Sequence, residues 1–481
     1  MRLTNSFVYC INLFNYERMI KSFILLLMVS TIAKSYSQNV QFETKFSEPF
    51  AVFQFMNSLS AKSPDNVYKK LFNQSNFSTK TNKDLITQFD SLNIDYSCDF
   101  TDYPAGQKIG IDVPLLLSRN LILCDGLQDF KLRSMGLVPN EKLIKLIDLL
   151  MQFTPIYEAI IYEPSRTRFE EQLQSVSNLI KSSNINLYFT EALQFYNSSW
   201  DVSVPFVFCF YPLPNSNGFR ATALSNVAIS PIADSLDNYK VLLTVMLHEI
   251  SHILYDERSL SLWNQMEEWF DSNPSKVRVY AQSLFNEAMA TTVGNGYLAS
   301  QLNGKEDTTR SWYGIKYISR MAKTVYPLAK QYIVARKPMD RNFVNQYIQL
   351  FEEYYSNWLY DPQYVMRGRL LISDSTTDFS IVRRLYGSSP GNENQEEISE
   401  TTLKKLATNH GTKVIIVNGN NKDKLQLIKN SLNELKTWHY DANKDFVYYK
   451  FLDDKTWLII LNNINSTTEG KLENLIIKQT N

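Results

Sequence analysis

The chain reads as an α+β protein: a mainly helical body with a small sheet just ahead of its most informative helix, and a small α/β unit near its C-terminal end. Three observations carry that expectation. Stretches between 140 and 360 repeat apolar residues at helical spacing. Two β-branched and aromatic runs, VPFVFCFYPLP and FRATALSNVAIS, stand together between 204 and 230. Past a polar stretch near 390 the pattern changes to strand, helix, strand, strand.

Length and charge bound the rest. A chain of 481 residues exceeds one ordinary core and suggests two to three domains. Lys plus Arg and Asp plus Glu are equal at 49 each, so no basic field argues for nucleic acid, and no base-binding motif is present. The 28 Tyr and 28 Phe supply ample material for large cores.

Residues 1–37 carry an expected signal peptide, with the true start possibly at Met19. Lys21 provides the positive start, Phe23 to Ile32 the apolar run, and Ser35 and Ser37 the small residues before a cut ahead of Gln38. The run is too short for a permanent membrane helix, no later run is long enough for one, and no cysteine follows it to take a lipid. The expected product is secreted or periplasmic. Cleavage removes four cations and one anion, leaving a net charge of −3 and three cysteines, Cys98, Cys124 and Cys209. Three cysteines without a C-x-x-C pair allow at most one bridge, not a disulfide framework.

Residues 38–150 form an accessory α+β region. PFAVFQFMNSLS and NEKLIKLIDLLMQF are amphipathic helices, while DYSCDF and IGIDVPLLLSRNLILC are ambiguous. Residues 151–372 form the main helical domain. SRTRFEEQLQSVSNLIKSS opens it with Phe169, Leu173, Val176 and Ile180 at helical spacing, and the two strand runs follow, separated by the turn signal NSNG. A helix capped by Asp237 or Ser235 carries TVMLHEISHILYDERS, and a second runs over 274–302 with Pro274 in its first turn. Two further helices reach about 360. Residues 373–403 read as a linker, from the Gly, Pro, Ser and Asn content of GSSPGNENQEEISET, and 404–481 as the α/β domain. GNN after its first strand lacks the spacing of a phosphate loop.

HEISH carries the chemistry. His248 and His252 are four apart, so on a helix their imidazoles share a face and can bind one zinc ion. Glu249 is rotated about 100° from His248, so it need not ligate and can act as a general base toward an activated water. Leu243, Met246, Leu247, Ile250 and Leu254 form one apolar stripe, and the histidines lie about 160° from it. Val241 and Val245 flank them, so the histidine face lines a cleft rather than open solvent. A catalytic zinc needs a third protein ligand. Glu287, 35 residues after His252 in NEAMA, sits at the margin of a stripe formed by Val277, Ala281, Leu284, Ala288 and Thr292. Its bland alternative is a boundary salt bridge. Asp256, four residues after His252, is offered as an acceptor for an imidazole N–H rather than as a ligand, because three donors in a row do not surround a tetrahedron. His410 and His439 lie past the linker and are left out.

HEISH followed on a separate helix by N-E-x-x-A resembles the gluzincin metallopeptidases, the thermolysin-like superfamily. The resemblance spans about 155–300 and implies that His248, His252 and Glu287 hold zinc and that Glu249 is the base, with Asn286 and Ala290 also matching the second motif. It further implies a mainly helical gluzincin-like domain with a small sheet before the motif helix, FRATALSNVAIS being the edge strand that pairs with a peptide or protein substrate. One departure stands out: the family often has Asp four residues after the ligand glutamate, and here that residue is Thr291. The family's oxyanion donor lies downstream, where Tyr297, Tyr313, Tyr317 and Tyr364 are all available. The reading is therefore an exported zinc metallopeptidase. Its rivals are a binding or structural protein that keeps the fold without turnover, and an activity housed in the C-terminal domain, which shows no nucleophile elbow, phosphate loop or metal cluster.

Overall fold

The protein is described from a computed structural model covering residues 39–104, 110–215, 221–307, 309–389 and 392–478. The signal expected in 1–37 and most of the NSNG turn lie outside the described residues. The fold is α+β, dominated by helices around two main sheets. Among the described residues no helix is long and apolar enough to cross a membrane, and Cys98, Cys124 and Cys209 are unbridged.

The first sheet has the order β1 (Phe42–Lys45), β4 (Phe206–Leu213), β6 (Val227–Ala233), β5 (Thr222–Leu224). A two-strand ribbon, β2 (Ser97–Cys98) with β3 (Ile111–Asp112), lies outside it. β1, β4 and β6 run parallel, and β5 folds back antiparallel on β6 through a turn in which Ser225 has φ 52°. The run FVFCF has no polar alternation because both faces of β4 are covered. Phe206, Phe208 and Phe210 point into the large core with the motif helix, while Val207 and Cys209 point into a second core built by the N-terminal helices, including Glu48–Leu59 and Asn140–Tyr157. The division at 150 is thus crossed by the sheet: β1, from the accessory region, supplies its outer parallel strand. FRATALSNVAIS is not one strand but the β5–β6 hairpin, and only β5 is at the edge.

The second sheet has the order β10 (Phe446–Phe451), β11 (Trp457–Asn462), β9 (Thr412–Val417), β7 (Arg369–Ser373), β8 (Glu393–Gln395), all parallel except β10. It corrects the linker at 373–403. That segment carries a helix, Thr376–Tyr386, and the edge strand β8, and the unit begins at β7 rather than at 404. An edge strand of sequence ENQ shows no apolar alternation, but the helix has Phe379, Val382, Leu385 and Tyr386 at helical spacing and was legible in the sequence.

One face of this sheet packs on the main core through Val414, Ile416, Ile459 and Leu461. The fastening is polar as well as apolar. Tyr280 Oη pairs with Thr412 Oγ1 at 2.9 Å and accepts from the Trp457 backbone N–H at 2.9 Å, and the Trp457 indole donates to the Leu359 carbonyl at 2.7 Å. Tyr280 belongs to the helix Arg278–Ala290, which also carries Glu287. The C-terminal unit is therefore attached to the element that presents the third expected ligand.

Candidate metal centre

The motif helix is Tyr239–Asp256. Its expected stripe is inside: Leu243, Met246, Leu247, Ile250 and Leu254 are all buried. Its start differs from expectation. The residue preceding it is Asn238 with no side-chain cap, and Asp237 is drawn instead into an ion pair with Arg168. The second helix also begins later than expected, at Arg278, with Pro274 outside it. It continues beyond Ala290 as a π-helical segment, Thr291–Leu298, and ends in Ala299–Asn303. Such segments widen the turn and concentrate near functional sites.

This π segment covers the histidine face of the motif helix, and Gly294 is the point of closest approach. A Cβ on Gly294 would stand 2.6 Å from His248 Cα and 2.7 Å from His248 N. Only glycine lets the two backbones meet so closely. The result is a His248 that is 4% exposed although it lies away from the apolar stripe.

The three expected ligands converge. His248 Nε2 and His252 Nε2 are 3.1 Å apart, and Glu287 Oε2 is 3.8 Å from the first and 3.7 Å from the second. A circle through three atoms so spaced has a radius of about 2.1 Å, so one point lies at zinc–ligand distance from all three. Among the described residues this is the one group of three or more His, Cys, Asp or Glu side chains arranged to hold a metal ion.

The protonation pattern suits a cation. His252 Nδ1 is 2.9 Å from Asn286 Oδ1, which places a proton on Nδ1 and leaves the Nε2 lone pair facing the convergence point. Glu287 Oε2 is buried with no hydrogen-bond partner. Burial holds the His248 pKa well below the ordinary imidazole value, and the neighbouring His252 lowers it further. Two imidazole nitrogens and a carboxylate oxygen thus meet within 3.8 Å of one another, a set of atoms of the kind that can hold a metal ion. Asn286, which sequence reasoning noted only as part of the second motif, fills the place at His252 that had been offered to Asp256.

Glu249 lies beside this group and does not join it. Its carboxyl is raised above the usual carboxylate value, chiefly by burial and further by Glu287, while His252 and the Ala223 backbone N–H oppose the rise. Ala223 is in β5, so the expected base stands against the free edge of the sheet.

Three of the four tyrosines left open by the sequence are engaged elsewhere. Tyr317 Oη donates to Asp361 Oδ2 at 2.5 Å, Tyr364 Oη to the Tyr280 carbonyl at 2.7 Å, and Tyr297 is paired with Glu191. Tyr313 is the one at the site. Its ring stacks on His248 with centroids 5.6 Å apart and 28° between planes. Burial, then the Glu287 carboxylate it is hydrogen-bonded to, and then Glu249 push its hydroxyl above the usual tyrosine value, so it remains a donor.

The chain matches no known family, no curated protein and no solved structure.

Proposed function

We propose that the chain is a zinc-dependent peptidase of the gluzincin type, hydrolysing peptide bonds in an extended peptide or protein substrate. The observation that carries this reading is the convergence of His248, His252 and Glu287 on one point, with Glu249 beside them and outside the ligand set. A zinc ion held by these three residues would polarise the scissile carbonyl and make water acidic enough to attack.

The chain's own residues supply the rest. Glu249, partly desolvated, takes the proton from the attacking water and delivers it to the leaving amine. Tyr313 donates toward the oxygen on which negative charge develops, after exchanging its bond to Glu287 for one to the substrate. The free edge of β5 gives the substrate backbone a strand to pair with, which holds the scissile bond over Glu249. With the export signal read in 1–37, the work is done outside the cytoplasm.

The test is Glu249→Gln in the full chain, assayed by mass spectrometry on a peptide-library digest. The variant is expected to keep zinc and lose about 10²–10⁴-fold in cleavage rate. Cleavage at the wild-type rate by a zinc-loaded variant refutes the role of Glu249. A wild-type protein that holds zinc and cleaves nothing in the library favours the non-catalytic reading instead.

A further inference from the structure

The metal reading leaves one atom unexplained. For His248 to ligate through Nε2, its Nδ1 must carry the proton and needs an acceptor. His252 has Asn286 for this purpose. The residue four after Glu287, Thr291, is buried with its Oγ1 unpartnered and offers no carboxylate.

We propose that Asn295 is the positioning residue for His248, its side-chain oxygen receiving the Nδ1–H from the π-helical segment. Three observations carry this. His248 Nδ1 and Asn295 Oδ1 are both buried and both without a hydrogen bond of ordinary geometry, Asn295 Oδ1 being an acceptor and Nδ1 a donor whenever Nε2 ligates. The Asn295 amide has a fixed orientation, because its Nδ2 donates to the Trp312 carbonyl at 2.7 Å and so leaves Oδ1 as the free end. The two residues are held together by backbone contact, since Gly294 rests directly on the His248 backbone. The Asn295 side chain faces the His248 ring, and the Ala290 carbonyl is the other acceptor near it.

The consequence is a centre whose two imidazoles are both steadied by neutral asparagine oxygens, Asn286 and Asn295, rather than by a carboxylate. The π segment makes this geometry available: its wider turn brings position 295, eight residues past Glu287, back over the motif helix.

This inference rests on the metal reading, and the experiment separates the two. Zinc affinity of the full chain is measured by competition with a chromophoric chelator, for the wild type, Asn295→Leu and Asn295→Asp. Both variants lose the donor to the Trp312 carbonyl; only Asn295→Asp keeps an oxygen for His248. The expected result is that Asn295→Leu binds zinc about 10–100-fold more weakly, while Asn295→Asp stays within about threefold of the wild type or binds more tightly. The Co²⁺ absorption spectrum is expected to change in Asn295→Leu and be retained in Asn295→Asp. Equal losses in both variants would assign the effect to the Trp312 tether and overturn the proposal. An unchanged affinity in Asn295→Leu would overturn it too, leaving the Ala290 carbonyl as sufficient. A wild type that takes up no zinc removes the metal centre itself, and Asn295's role with it.

Discussion

Replacing Gly294 by alanine tests how the histidine face is built. Gly294 has no left-handed backbone, so alanine meets no conformational obstacle and, in a helical setting, gains about 1 kcal/mol over glycine. The opposing effect is steric. The new Cβ would lie 2.6, 2.7 and 2.9 Å from His248 Cα, N and Cβ, where ordinary contact begins near 3.4 Å. None of these atoms is the end of a flexible side chain, so the two helical backbones must separate by roughly 0.5–0.8 Å. Overpacking of this kind costs about 1–3 kcal/mol, and with both partners helical backbone the upper half applies. The net expectation is a loss of about 1–2 kcal/mol after the propensity gain. The same shift carries His248 away from Glu287, beyond the tolerance of about 0.2 Å that a metal site allows, so zinc affinity should fall at least about tenfold. Urea midpoints without metal and chelator competition with zinc measure the two effects. Gly419→Ala is the control, because nothing lies within 4 Å of its added Cβ. A Gly294→Ala protein as stable as that control, with wild-type zinc affinity, would refute the packing argument.

Other outcomes follow from the same contacts. Tyr313→Phe should keep zinc and lower kcat by about 10²–10³-fold with little change in KM, measured on whichever peptide the wild type cleaves; an unchanged kcat removes Tyr313 from the chemistry. Tyr280→Phe leaves the buried Trp457 N–H without its acceptor, while the Thr412 hydroxyl keeps its bond to the Val365 carbonyl, and should destabilise the chain by about 1–3 kcal/mol in chemical denaturation, whereas no change would mean that the C-terminal sheet is not fastened there. Lys413 is buried and paired with Asp454 at 2.7 Å, but the Asp454 side chain is 45% exposed and regains water when the lysine is lost. Lys413→Met should therefore change stability by less than about 1 kcal/mol at neutral pH, and a loss of 3 kcal/mol or more would contradict this. Burial holds the Lys413 pKa below the ordinary lysine value. The charged lysine thus penalises the fold below its folded pKa, and the penalty fades as pH climbs toward the unfolded value. The wild type should gain on the methionine variant in denaturation series run at increasingly alkaline pH.

The parts of the site that were legible in the sequence are those governed by regular periodicity. The stripe from Leu243 to Leu254 fixed the inner face of the motif helix, and the placement of His248 and His252 away from it followed. Glu287, at the margin of its own stripe, came to the same point. Legibility ends where the period changes. In the π segment the helical wheel no longer assigns faces, so Gly294 and Asn295 could not be placed over His248, although two glycines in the apolar run TTVGNGYL were a sign of close backbone approach. Tyr313 differs from Tyr297, Tyr317 and Tyr364 only in its tertiary neighbours, which spacing does not encode. The polar edge strand β8 passed for linker because an edge needs no apolar face. The role of β1 depended on pairing with β4 some 160 residues away, whereas the β5–β6 hairpin is local and was missed because its turn at Ser225 carries no Gly or Pro signal.

The central claim is that His248, His252 and Glu287 form one zinc site. Its most direct test is an anomalous difference map at the zinc absorption edge from crystals of the full chain grown with zinc. The account predicts a single strong peak about 2.1 Å from His248 Nε2, His252 Nε2 and Glu287 Oε2, absent from His248→Ala crystals. A map with no peak at that point, or one in which Glu287 turns away from a zinc ion held by other residues, would contradict it.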